Sequence, residues 1–279
     1  MIVYLNGEFL PEEKAAVSVL DRGFIYGDGL FETIPIHDGR PFRWSQHFER
    51  LQRGATFLKI RIPCPQQELR QHATTLLAKN QMTHALLRIN LSRGVGPRGY
   101  SPKGAESPTL VMTLHPAPEI DPSNPPRWQL ATSSYRLPTS DPLSPFKTSH
   151  KLLQIVARAE AEAADADEAL LLNTNGEVAE TTGANIFWVY RDTVYATPSG
   201  RGALPGVTRA LVLEICQALG LPTNKRVIKP EALRNADGIF LALSSFGIIP
   251  VSGIDGEPVG ESPLVDQICS AYWEAVAKG

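Results

Sequence analysis

Two short stretches of this 279-residue chain carry residue types that could do chemistry together. In Glu180-Thr-Thr-Gly-Ala-Asn-Ile-Phe a carboxylate stands beside a small-residue turn, and in Leu204-Pro-Gly-Val-Thr-Arg a glycine precedes an apolar-periodic run. Val207, Leu211, Val212, Ile215, Cys216 and Leu219 have the spacing of a helix with one buried face, so a helix starts near Val207. The first N–H groups of a helix lack intrahelical partners and carry partial positive charge. Gly206, with no side chain, lets an anion approach the amides of Val207 and Thr208, and the Thr208 hydroxyl adds a donor. A glutamate withdrawn from water needs a cation beside it or a proton on it. The two stretches together suit a molecule with a basic ring nitrogen and a phosphate. Each also has an ordinary reading, Gly-Val-Thr as a plain helix cap and Glu180 as a solvated carboxylate.

The elements that must hold these groups alternate strands with helices. Ala169 to Leu172 is β-compatible, Asn175-Gly176 is a two-residue turn pair, and the chain returns through Val178 toward Ile186, Phe187 and Val189, with a second turn at Arg191-Asp192. Further helices are expected from Trp44 to Leu58, near Gln66 to Lys79, near Leu152 to Ala164 and over Pro230 to Asn235. Strands are expected from Leu86 to Leu91, Thr109 to Leu114 and Gly238 to Leu243. His115 to Pro126 contains five prolines, which continue neither a helix nor a central strand. The expected organisation is therefore a smaller N-terminal α/β domain (1–116), a proline-rich linker (117–127) and a larger C-terminal domain (128–279), an α/β (α+β) pair.

A hydrophobic content of 43% supports a large core, and a formal charge of −2 argues against a polyanionic partner. No nucleic-acid box, zinc spacing, signal peptide or spanning segment is evident. Cys64, Cys216 and Cys269 form an odd, scattered set, which reads as free thiols in a reducing compartment and points to a cytoplasmic protein.

Four motifs in order resemble the fold type IV pyridoxal phosphate enzymes: Asp21-Arg-Gly-Phe-Ile-Tyr-Gly-Asp-Gly-Leu-Phe-Glu-Thr, His47-Phe-Glu-Arg-Leu, Asp167-Glu-Ala and Ile249-Pro-Val. That family includes branched-chain and D-amino acid aminotransferases and 4-amino-4-deoxychorismate lyase. The resemblance implies a D-amino acid aminotransferase-like fold with pyridoxal 5'-phosphate in the interdomain cleft, and a homodimer. It places the cofactor's lysine at Lys147, in Ser144-Pro-Phe-Lys-Thr-Ser-His-Lys, with Lys151 as the rival. Such an amine, with a solution pKa of about 10.4, acts as a base at neutral pH only where its site lowers that value. Glu180 is implied to face the ring nitrogen, while Arg50, Val207, Thr208 and Ser244 are implied to anchor the phosphate. On the local helix Arg50 lies off the apolar stripe of Phe48, Leu51, Ala55 and Leu58, a position an exposed arginine would share.

The reaction is suggested by Arg93-Gly-Val-Gly-Pro-Arg-Gly-Tyr-Ser, a loop most like that of aminodeoxychorismate lyases, in which Arg98 would clamp a substrate carboxylate. D-amino acid aminotransferases accompany that arginine with a histidine and an early tyrosine, where this chain has Tyr100 and Phe31; Thr33 would line the substrate side. The implied activity is conversion of 4-amino-4-deoxychorismate to 4-aminobenzoate and pyruvate, as in folate biosynthesis. The alternatives are an aminotransferase moving an amino group between an amino acid or amine and a 2-oxo acid, and, more remotely, a protein that binds the cofactor without catalysis.

Overall fold

Along residues 85–92 buried and half-buried positions alternate, the period of a strand with one face against a core. The computed structural model describes residues 1–279 and divides them into two units, 1–118 with 146–150 and Gly279, and 119–145 with 151–278. The first contains β1 (Ile2–Leu5), β2 (Glu8–Pro11), α1 (Arg22–Tyr26), β3 (Gly29–His37), β4 (Arg40–Pro41), α2 (Trp44–Leu58), α3 (Gln66–Asn80), β5 (Ala85–Ser92) and β6 (Thr109–His115). Its strands form one antiparallel sheet in the order β2-β1-β6-β5-β3-β4. Leu30, Ile34 and Ile36 of β3 share a core with Leu51 and Ala55 of α2 and Leu69 of α3. Because side chains alternate along a strand, Glu32 lies on this helix-covered face of β3, whereas Phe31 and Thr33 lie on the other.

The sequence division puts Lys147 in the C-terminal domain, but packing puts Phe146–His150 in the first unit. The reason is backbone pairing with β3. The Phe31 N–H donates to the Lys147 carbonyl at 2.9 Å, the Ser149 N–H donates to the Gly29 carbonyl at 2.9 Å, and Thr148 bridges Leu30. The Phe146 ring stacks on Phe57 with centroids 4.4 Å apart. Five residues thus add a short strand-like edge to a sheet whose other members lie far away in sequence.

The second unit contains β7 (Trp128–Leu137), α4 (Leu152–Ala163), β8 (Glu168–Asn173), β9 (Val178–Thr181), β10 (Asn185–Tyr190), β11 (Thr193–Ala196), α5 (Val207–Ala218), β12 (Thr223–Lys225), α6 (Pro230–Arg234), β13 (Gly238–Leu243), β14 (Gly247–Ile254), β15 (Glu257–Pro258) and α7 (Pro263–Lys278). Its nine-stranded sheet runs β12-β11-β10-β13-β14-β7-β8-β9, with β15 paired to β14. The β14–β7, β7–β8 and β11–β12 pairs are parallel and the others antiparallel. Every residue of β8 and β13 is buried, which explains their near-continuous apolar sequences. The β10–β11 turn places Arg191 and Asp192 at φ of 46° and 58°, as a tight hairpin requires. No helix is long and apolar enough to cross a membrane.

Candidate active site

In the first unit the register of β3 against β5 puts Thr33 opposite Arg88 and Phe31 opposite Asn90, all on the face away from α2. The Arg88 guanidinium donates to Thr33 Oγ1 at 3.3 Å and to Asn90 Oδ1 at 3.2 Å. Its Cζ lies 3.5 Å from the Phe31 ring centroid, and the Lys147 Nζ lies 4.6 Å from the same centroid. Two cations therefore share the field of one buried aromatic ring. Burial lowers the Arg88 pKa to about 10, only partly opposed by the charge of Glu32. A desolvated guanidinium bonded to neutral oxygens retains its attraction for an incoming carboxylate.

On the other face, Glu32 is 1% exposed and accepts from Arg50 Nε at 2.8 Å and Arg50 Nη2 at 2.7 Å. His47 Nδ1 stands 2.7 Å from the second oxygen. Burial works to raise the Glu32 carboxyl, but the Arg50 charge and hydrogen bonds, with the His47 bond, outweigh it and hold the group at about 2. Burial in turn pushes the His47 pKa down, more than Glu32 raises it. An ionised carboxylate only accepts, so the neutral His47 ring carries its proton on Nδ1. Arg50 is itself only 4% exposed, so the surface position that its place off the apolar stripe also allowed is excluded. Sequence reasoning missed the cause: Glu32, 18 positions earlier on β3, draws Arg50 inward.

The glycine-rich loop after β5 is braced by a second buried network. Asp28 accepts from Arg22 Nε at 2.9 Å, Arg93 Nε at 2.8 Å and Arg93 Nη2 at 3.1 Å. Burial works to raise the Asp28 carboxyl, and the bonds from Arg93 and Arg22 overcome it and lower the pKa. Arg22 Nη1 donates to the Gly99 carbonyl at 2.8 Å, and the Gly99 N–H donates to the Tyr26 hydroxyl at 3.0 Å. A Cβ on Gly94 would stand 1.8 Å from the Ser107 carbonyl oxygen, so only glycine fits there. Arg93 is thus a brace, while Arg98 and Tyr100 are exposed on the loop.

In the second unit Glu180, on β9, accepts from the Leu204 N–H at 2.8 Å and from Asn185 Nδ2 at 3.2 Å, and the same Asn185 nitrogen donates to the Leu204 carbonyl at 2.8 Å. The next turn is held by Glu168, 2% exposed, which accepts from the Thr182 N–H at 3.3 Å and from Arg158 Nη1 at 3.2 Å. Gly206 is the N-cap of α5, at φ −68° and ψ 145°, and no side chain caps the helix. A Cβ at Gly206 would stand 2.2 Å from Asn185 Oδ1, so Asn185 joins the Glu180 carboxylate to the start of α5. Val207 and Thr208, each 7% exposed, begin that helix, which packs on β13. Ser244, half-buried, lies just after β13. Within the second unit, oriented amides at an uncapped helix start and two hydroxyls are donors suited to a phosphate, and a fixed carboxylate is an acceptor suited to a protonated ring nitrogen, so these residues fit those parts of a phosphorylated pyridine aldehyde; within the first unit, Lys147 offers a half-buried amine suited to its aldehyde.

Comparison with known proteins points the same way. Residues 29–254 match the family described as amino-transferase class IV. A provisionally named branched-chain-amino-acid aminotransferase of Methanocaldococcus jannaschii is 35% identical over 95% of this chain and 91% of its own length. Aminodeoxychorismate lyase of Bacillus subtilis is 30% identical over 96% of this chain and 92% of its own. Among solved structures, the T.th. branched-chain amino acid aminotransferase with pyridoxamine 5'-phosphate superposes with a TM-score of 0.93 at 29% identity, covering 99% of this chain and 94% of that one.

Proposed function

Since this chain belongs to the class IV aminotransferases, enzymes that work with pyridoxal 5'-phosphate, we propose that within the family it is a lyase converting 4-amino-4-deoxychorismate to 4-aminobenzoate and pyruvate. The observation that carries this reading is the polar face beside Lys147. Arg88, Thr33 and Asn90 would meet a substrate with polar groups, where a branched-chain side chain favours apolar lining, and a desolvated guanidinium beside an amine suits a substrate with carboxylates as well as an amino group. The braced loop from Arg93 to Ser101, which carries Arg98 and has Tyr100 in place of a histidine, supports the same choice, as does the likeness to the Bacillus subtilis lyase.

When bound, the cofactor supplies the electron sink that acidifies the carbon bearing the substrate amine. Lys147 Nζ would hold the cofactor before substrate arrives, then take the proton from that carbon and return it to the departing enolpyruvyl carbon, so that no net proton is lost in releasing pyruvate. Glu180, oriented by Asn185 and the Leu204 N–H, would hold the ring nitrogen protonated. Val207, Thr208 and Ser244 would receive the phosphate, with Arg50 contributing to it from its anchorage on Glu32. Arg98 and Arg88 would orient carboxylates, and Phe31 and Tyr100 would border the substrate. A homodimer and a cytoplasmic setting belong to the same reading; Val19, Phe24 and Tyr100 are 73%, 76% and 89% exposed, an apolar surface suited to a second copy.

The second reading, an aminotransferase, is favoured by the 35% identity to the Methanocaldococcus protein. One assay separates the two. Purified enzyme given 4-amino-4-deoxychorismate and no 2-oxo acid should release 4-aminobenzoate and pyruvate in equal amounts. Turnover of D-alanine or L-leucine that stalls until 2-oxoglutarate is added, with no release from the chorismate, would assign the transaminase.

A further inference from the structure

Outside this chemistry, the approach to α3 gathers three unlike metal-binding side chains. Cys64 Sγ, a Glu68 carboxylate oxygen and a His72 ring nitrogen all lie within 4.8 Å of one another. The spacing explains it. Glu68 and His72 are four apart on α3 and so share a face, and Cys64 stands one further turn back, just before the Pro65 N-cap. Although the cysteines look scattered in the sequence, this one belongs to a Cys-x3-Glu-x3-His series whose period is helical.

His72 Nε2 is 3.9 Å from Glu68 Oε1. That is too long for a hydrogen bond, yet only a few tenths of an ångström beyond the roughly 3.4 Å edge implied by zinc bonds of about 2.0–2.2 Å in a tetrahedron. The imidazole is fixed in place, its centroid 4.7 Å from that of Tyr4 and 6.1 Å from that of Phe9, and its other nitrogen, Nδ1, is buried without a hydrogen-bond partner. A metal ion on Nε2 would place the ring proton on Nδ1. An open groove of about 700 Å³, lined by Phe48, Gln52, Ile62, Cys64 and Gln66 among others, gives an ion a route to the sulfur.

We propose that Cys64, Glu68 and His72 bind one divalent cation of the zinc class through sulfur, oxygen and nitrogen, with a water in the fourth position. Ligation releases the Cys64 thiol proton to solvent and forms the metal–sulfur bond. The ion would fasten the start of α3 to β1 through the His72–Tyr4 stack, in a unit that needs no metal for the chemistry above. Three ligands of mixed softness suit zinc or cobalt(II) better than magnesium or calcium, which seek oxygen alone.

The test uses cofactor-loaded enzyme, stripped with a chelator, kept reduced with a phosphine and titrated with Zn²⁺ against a fluorescent zinc indicator. One ion per chain is expected, with affinity at least about tenfold weaker in Cys64→Ser and in His72→Gln. Co²⁺ should give intense tetrahedral ligand-field bands to the red of the cofactor's absorption, lost in both variants. In a third readout that needs no variant, Zn²⁺ should protect the Cys64 peptide from alkylation, and Mg²⁺ should not. Unchanged zinc affinity in both variants, or equal alkylation of Cys64 with and without zinc, would overturn the site.

Discussion

The candidate site residues of the two units organise charge by different means. In the first, carboxylates are neutralised by arginine side chains: Glu32 by Arg50, with a further hydrogen bond from His47, and Asp28 by Arg22 and Arg93. In the second, Glu180 is oriented by a backbone N–H and one amide, and the start of α5 offers peptide dipoles rather than charged groups. The physical consequence is an asymmetry of risk. A buried side-chain pair fails when either partner is removed, because the survivor keeps its charge without its solvation. A site made of peptide groups survives most substitutions and is vulnerable mainly to changes in shape.

Lys147→Ala should have the largest effect and should sharpen the contrast by leaving stability almost alone. Turnover is expected to fall by roughly 10³-fold or more, while the melting temperature barely changes because the side chain is only half-buried. Steady-state kinetics with thermal unfolding reads both. Substantial residual turnover would transfer the role to Lys151 and remove Lys147 from the mechanism.

Glu32→Gln reverses that pattern, trading stability for little direct chemistry. Leaving the buried Arg50 without its anion should cost about 3–5 kcal/mol in denaturant unfolding. A pH series gives the same answer by another route. The Glu32 carboxyl is depressed from 4.5 to about 2 in the folded state, so its contribution is complete above about pH 4.5 and is lost as pH falls through about 2. Wild type should therefore weaken across that window by about 3 kcal/mol more than the variant. Parallel stability curves would show that Glu32 and Arg50 do not form a functional pair.

A smaller effect is expected for Arg88→Met, which removes a half-buried cation bonded to neutral oxygens. KM for a carboxylate-bearing substrate should rise by about ten- to a hundredfold, the range of one to two charge-assisted hydrogen bonds, with kcat less affected. Stability should hold or improve, since no buried anion depends on Arg88 alone. A loss of stability with unchanged KM would make Arg88 a structural residue and weaken the lyase reading.

The same contrast explains what could be read from the chain itself. The Glu180 turn, the glycine before Val207 and the helix behind it are local features, so periodicity and turn chemistry expose them, and the expected helix from Trp44 to Leu58 coincides with α2. Glu32, His47 and Arg50 meet only because β3 lies under α2, and Asp28 meets Arg93 across 65 positions of sequence. Nothing near Arg88 in the sequence marks it either; its importance arises from the β3–β5 register that sets it beside Phe31. Lys147 was legible as a lysine of interest through family resemblance, yet its unit was not, because a five-residue edge pairing has no periodicity to detect.

Gly206→Ala tests the second unit at its one exposed weakness, shape. The backbone at Gly206, φ −68° and ψ 145°, suits alanine, so strain in the main chain is not the issue. The new Cβ would meet Asn185 Oδ1 at 2.2 Å, forcing Asn185 away from Glu180 and the Leu204 carbonyl. Overpacking of this kind should cost about 1 kcal/mol in stability, and cofactor affinity, measured by fluorescence titration, should fall by several-fold. Shortening the neighbour should relieve it: in an Asn185→Ser background the same glycine substitution is expected to cost less by roughly 0.5–1 kcal/mol, the coupling of a double-mutant cycle between touching residues. If the cost is the same in both backgrounds, the glycine is required for a reason other than its neighbour, and the proposed tie between the carboxylate and the helix start is lost.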